Sequence, residues 1–171
     1  SGDHHWVDLR FIHSTYNSTT KTGDVALLRL ATASARIPLP AQKQPASENL
    51  GTDVVLAGWG KGDKFGIGEI LRYIDTEFRA GEECVFDGVN PEPYHFCIGN
   101  VSENSGIFGL GTAETACHGD SGAGAVQLEE GSGNVVGIAT AVKGDCRSLV
   151  LMTGLAFFET EISALIAEHA L

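Results

Sequence analysis

Apolar residues along this chain fall into short runs closed by glycine, aspartate or asparagine. Val25–Leu30, Val54–Gly58, Ile70–Glu77, Ala123–Leu128, Val135–Val142 and Leu149–Leu155 are rich in Val, Ile, Leu and Thr and have strand length. Short strands at fairly regular spacing predict a barrel or a sandwich. The pattern changes at the end of the chain. Phe157, Phe158, Ile162, Leu165, Ile166 and Leu171 recur at helical spacing, with Glu159, Glu161 and Glu168 between them, which predicts one amphipathic helix. Pro38, Pro40 and the polar stretch Gln42–Asn49 break all periodicity and predict an extended connection between two halves. There is no internal repeat and no low-complexity tract.

Composition narrows the class. Of 171 residues, 43% are hydrophobic and 19% charged, as expected of one packed domain. The formal charge is −11 and the basic residues never cluster, which argues against a nucleic-acid surface. No apolar run approaches the ~18 residues of a membrane span. Ser1–Arg10 has neither the charged start nor the apolar core of a signal peptide, so a targeting segment is expected upstream or already removed. Cys84, Cys97, Cys117 and Cys146 show no C-x-x-C spacing, which favours disulfides over zinc and leaves three pairings open. Two sequons, at Asn17 and Asn100, fit a glycosylated, secreted chain in an oxidising compartment.

The chemically informative segment is Cys117-His118-Gly119-Asp120-Ser121-Gly122-Ala123-Gly124. A nucleophilic serine needs close backbone approach by its substrate and two N–H groups aimed at the developing oxyanion, and glycine permits that backbone shape. Turns favour the same residues, so Gly-Asp-Ser-Gly alone is a weak signal. Other segments strengthen it by their order. Thr22-Gly23-Asp24-Val25-Ala26-Leu27-Leu28 carries an acid into a buried apolar strand, and Ala57-Gly58-Trp59-Gly60 forms a glycine-framed turn. Phe96-Cys97-Ile98-Gly99 precedes the serine, and Gly137-Ile138-Ala139-Thr140 follows it.

In that order the segments resemble the chymotrypsin-like, or trypsin-family, serine proteases over nearly the whole chain. The resemblance implies an all-β fold, a double six-stranded antiparallel β-barrel whose first barrel is incomplete, plus a C-terminal α-helix. Residues 1–40 would be part of the first barrel, 41–53 the connection, and 54–171 the second barrel with the nucleophile loop and helix. It implies the bridges Cys84–Cys97 and Cys117–Cys146. Ser121 becomes the nucleophile, the Gly119 and Ser121 amides the oxyanion hole, and Asp24 the carboxylate that orients a histidine. Asp120 resembles the aspartate that pairs with a freed amino terminus in active members, and Ser1-Gly2-Asp3 does not look like that terminus. On this reading Asp120 lacks a partner within the chain.

The family's catalytic histidine stands well before its aspartate in an alanine-alanine-histidine-cysteine setting. His4, His5 and His13 have none of that setting, and Phe11-Ile12-His13-Ser14-Thr15-Tyr16-Asn17 resembles a non-catalytic loop histidine segment. His118 is expected at the pocket rim, with His95 and His169 on the surface. Lacking a base to take the Ser121 proton, the chain alone is expected to be nearly inactive. The implied substrate pocket comprises Thr115, His118, Thr140, Ala141, Val142 and Val150. Thr115 stands where trypsin-like members place an aspartate, which disfavours lysine or arginine before the cut. Val142 and Val150 replace wall glycines and favour small aliphatic side chains, and Ala141 replaces the wall tryptophan. Asp145 adds charge at the rim, and Asn100–Glu114 resembles an insertion over the entrance.

The function so implied is that of a secreted serine endopeptidase acting on protein or peptide substrates, as a fragment without its histidine segment. That segment and protein inhibitors are the expected partners; no nucleic acid, membrane, metal or organic cofactor is expected. The alternative is a non-catalytic protease homologue that binds proteins on the same surface. The altered pocket and missing histidine motivate it, and the intact Ser121, Asp24 and glycines oppose it.

Overall fold

The computed structural model describes residues 3–43, 51–61, 68, 70–79, 84, 86, 89–99, 116–129, 132–142, 146 and 149–169. Eight strands are β1 Val7–Ile12, β2 Ala26–Leu30, β3 Asp53–Gly58, β4 Arg72–Arg79, β5 His95–Ile98, β6 Gly124–Glu129, β7 Ser132–Val142 and β8 Val150–Gly154. A 3-10 turn, Leu155–Phe158, leads into helix α1, Glu159–His169.

Strands β3 to β8 close an antiparallel barrel in the order β3-β4-β5-β8-β7-β6. Alternation builds it: Val54 and Leu56 of β3, and Thr76 and Phe78 of β4, turn inward, while Ala57, Tyr73 and Asp75 turn out. β5 and β8 are buried along their whole length. The core gathers Val54, Leu56, Phe78, Phe96, Ile98, Ala125, Val136, Val150 and Met152. Glycine makes room at one point of this core. A Cβ on Gly137 would meet the Phe96 ring at 2.7 Å and the Thr153 carbonyl at 2.9 Å.

β1 and β2 pair antiparallel as a separate two-stranded sheet, with Leu28 61% exposed and Trp6 86% exposed. One face of this hairpin packs on α1, whose half-buried positions Glu159, Ile162, Leu165 and His169 form a stripe at helical spacing. The His13 Nε2 meets Glu161 at 3.0 Å, and Arg29 donates to the His169 carbonyl at 3.3 Å. The described start of the expected connection lies along the barrel. Ala41 bridges Val135, with Val135 donating to the Pro40 carbonyl and Gln42 to the Val135 carbonyl, both at 2.8 Å.

Differences from the sequence reading are local. The strand expected at Ile70–Glu77 is Arg72–Arg79, because pairing with β3 starts at Gly58 opposite Arg72 and leaves Ile70 and Leu71 exposed. The helical pattern begins as a 3-10 turn, in which Phe158 is buried and Phe157 is not. His95 is buried rather than on the surface, held inside the four-residue strand β5.

Candidate active site

The Gly119–Gly122 loop stands between the end of β3 and the start of β6, and its conformation follows from the hydrogen bonds of Asp120. The carboxylate accepts the Gly60 N–H on Oδ1 at 2.7 Å and the Cys117 N–H on Oδ2 at 2.9 Å. Its main chain closes the turn, with Asp120 donating to the Cys117 carbonyl at 3.0 Å and Ala123 to the Asp120 carbonyl at 2.9 Å. Asp120 therefore has two partners within the chain, correcting the expectation that it lacks one. Backbone amides satisfy both oxygens without a cation. Gly58 and Gly60 make the cradle possible, since a Cβ on either would collide with this carboxylate. Two more bonds fasten the loop to the barrel: Lys61 donates to the His118 carbonyl and Gly122 to the Ala139 carbonyl, both at 2.8 Å.

Gly119 and Gly122 take φ of 99° and 86°, which favours glycine at both positions. Ser121, between Asp120 and Gly122, is exposed. Among the described residues, neither the Gly119 nor the Ser121 amide donates a hydrogen bond within the chain. The loop thus offers a hydroxyl and two uncommitted donors at one solvent-facing turn.

Asp24 lies just before β2, half-buried. Burial pushes its carboxyl above the ordinary carboxylate range, opposed by the Lys21 charge. Among the described residues, no group donates a hydrogen bond to this carboxylate. The preceding Gly23 amide donates to the Tyr94 hydroxyl at 2.9 Å, which ties the aspartate segment to the barrel.

His13, His95 and His169 are engaged elsewhere, His4 and His118 are exposed, and His5 is half-buried near the start. His13 contacts Thr15 Oγ1 through Nδ1 at 2.9 Å and Glu161 through Nε2, with its ring edge-on to Phe158. His169 stacks against Phe11 with centroids 4.7 Å apart. His95 accepts the Glu92 N–H on Nδ1 at 3.0 Å, while its buried Nε2 has no partner of hydrogen-bond geometry. Burial holds His95 below the usual histidine range, opposed by the Glu92 charge and the nearby Lys21 carbonyl. His118 is exposed on the serine loop, and His4 is exposed near the start.

The wall residues fall on paired strands. Val142 lies opposite Val150, which is completely buried. Thr140 is buried too, its hydroxyl 2.7 Å from that of Thr153. The register of β7 against β8 slips between Ala139 and Ala141, a bulge that re-aims the strand beside the serine loop. The chain holds disulfides Cys84–Cys97 and Cys117–Cys146, with Cα atoms 5.6 and 5.0 Å apart. Cys117, His118 and Cys146 cluster, but the bridge consumes both thiols and leaves no thiolate for a metal. Asn17 is exposed, its side-chain oxygen accepting the Thr19 and Thr20 amides. Thr115, Asp145, Asn100 and the rest of the 100–114 stretch lie outside the described residues.

Sequence reasoning missed the glycine cradle of Asp120 and the Tyr94 tie. Gly58 and Gly60 carried a signal, as small residues framing a tryptophan. Tyr94 carried none, because its partner is a backbone amide 71 residues away.

A closed six-stranded antiparallel barrel with a glycine-framed serine loop, joined to a second sheet and a C-terminal helix, defines the chymotrypsin-like fold. The chain belongs to the trypsin family, whose sequence model, described as Trypsin, matches residues 4–154. Among solved structures, a mutant of human heparin binding protein (CAP37) superposes with a TM-score of 0.75 at 21% identity. The match covers 95% of this chain and 66% of that one, so the chain spans just under two thirds of that neighbour's length.

Proposed function

We propose that this chain is the distal part of a secreted serine endopeptidase. Ser121 is the nucleophile, the Gly119 and Ser121 amides form the oxyanion hole, and Asp24 orients a histidine supplied from outside residues 1–171. In this reaction the Ser121 Oγ attacks the scissile carbonyl carbon while its proton passes to the histidine. The oxyanion is held by the two amides, and collapse expels the amine, which takes the proton from the imidazolium. Water then repeats the sequence on the acyl-enzyme. The observation that carries the reading is the Asp120 cradle, which leaves two amides unpaired beside an exposed serine hydroxyl.

The two-stranded β1–β2 sheet, with exposed apolar residues, is the remaining part of a first barrel and pairs with the histidine-bearing segment. Val142 and Val150 narrow the pocket to small aliphatic side chains before the cut and Thr115 disfavours lysine or arginine there, with Ala141, Thr140 and His118 beside it. Protein inhibitors occupy the same surface. The bridges and the Asn17 and Asn100 sequons fit an extracellular, glycosylated product. Heparin binding, which the structural neighbour's name records, is not carried over, because a net charge of −11 repels a sulfated polyanion.

Peptide hydrolysis by the longer, histidine-bearing protein tests this. Cleavage after alanine or valine in preference to lysine, abolished by Ser121→Ala, is expected. Absence of hydrolysis from a folded longer protein would favour the non-catalytic, protein-binding homologue.

A further inference from the structure

The segment Lys21–Asp24 reaches its strand through two left-handed residues, Lys21 at φ 62° and Gly23 at φ 58°. Such a turn sets the direction in which the Asp24 side chain leaves the backbone, and little space surrounds it. A Cβ on Gly23 would collide with Thr15 Oγ1 and meet His13 Nδ1 at 2.9 Å. Gly23 is buried, so its N–H must find an acceptor inside the protein. That acceptor is the Tyr94 hydroxyl at 2.9 Å, contributed by the barrel immediately before β5.

Tyr94 is itself held from several sides. Its carbonyl accepts the Gly154 N–H at 2.9 Å. Its ring lies 4.7 Å from His95, 4.9 Å from Phe157 and 5.0 Å from Phe158. Phe158 in turn meets the His13 ring at 4.9 Å. The hydroxyl is thus the fixed end of an aromatic stack built from the barrel and the start of the C-terminal helix.

We propose that Tyr94 is a positioning residue for Asp24: its hydroxyl pins the Gly23 amide and so fixes the carboxylate toward the histidine it orients. The role rests on the reading of Asp24 as the triad carboxylate. It makes the alignment of the acid depend on the Tyr94 hydroxyl of the second barrel, not on the hairpin alone. Lys21, Glu92, His95 and His13 are the charged or titratable groups around this turn, and none supplies an acceptor to Gly23.

The test uses the longer, histidine-bearing protein and the rate of Ser121 labelling by a fluorophosphonate across pH. Wild type, Asp24→Asn, Tyr94→Phe and Phe157→Leu are compared, with rates scaled to the folded fraction from circular dichroism. A carboxylate close to imidazolium raises the imidazole pKa, so a loosened Asp24 lowers it. Tyr94→Phe is expected to slow labelling about three- to tenfold, the scale of one lost hydrogen bond, and to move the pH midpoint toward acid. Asp24→Asn slows labelling far more. Phe157→Leu removes a ring from the stack but keeps the hydroxyl, and leaves the midpoint unmoved. The midpoint reads only folded molecules, so partial unfolding of a variant does not mask it. A Tyr94→Phe profile matching wild type overturns the positioning role alone, as does an equal midpoint shift in Phe157→Leu. A folded wild type that takes no label overturns the endopeptidase reading and the positioning role together.

Discussion

Asp120 shows how a charged side chain beside the serine is accommodated by what its neighbours lack. Gly58 and Gly60 leave room for its carboxylate, and two backbone amides supply its bonds. Gly60→Ala is expected to destabilise by about 1–3 kcal/mol, as overpacking does, and to displace the serine loop; urea unfolding measures the first effect. Asp24 has no such donors among the described residues. Its folded pKa is raised by burial, so its favourable, protonated contribution is complete below the unfolded value near 3.8 and is lost as pH rises through the folded value. Asp24→Asn should therefore be more stable than wild type at neutral pH in the 171-residue chain, with the gain vanishing in acid, as urea midpoints across pH would show. His95 has the reverse sign for acid. Its folded pKa lies below 6.5, so the stability tied to neutral His95 is present above 6.5 and lost as pH falls through the folded value. His95→Gln should flatten that part of the pH–stability curve. The Gly119–Gly122 turn was legible because left-handed backbone favours glycine at its two ends. The partners of Asp120 and Tyr94 were not, because backbone amides have no residue signature.

Elements were legible where an apolar run was closed by turn residues. Such runs marked β3, whose burial alternates, and β7 and β8. β1 also alternates, Val7, Leu9 and Phe11 with Asp8 and Arg10 between, yet the sequence reading passed over it because its glycine boundaries are missing. At four residues, β5 is too short for any period to register. The offset of β4 came from its partner, since register is set across strands and not along one. Met152 in β8 is completely buried and Leu28 in β2 is 61% exposed. Met152→Ala should cost about 2–5 kcal/mol and Leu28→Ala within about 0.5 kcal/mol in the 171-residue chain, as read from urea midpoints.

At the scale of the molecule, a closed barrel and a two-stranded sheet share one chain. The barrel has no free edge, whereas β1 and β2 pair only with each other among the described residues and are held to the helix by side chains. Hydrogen exchange should protect the β3–β8 amides most and those of β1 and β2 least. In the longer protein the hairpin should gain protection, and Leu28→Ala should become costlier as the first barrel covers it. The nucleophilic role of Ser121, with its general base outside these residues, is open to direct test. Its most direct measurement is peptide-mapped fluorophosphonate labelling of the longer protein beside a control protease. Label is expected on Ser121, absent from Ser121→Ala and nearly absent from the 171-residue chain. A folded longer protein left unlabelled while the control is modified would contradict it.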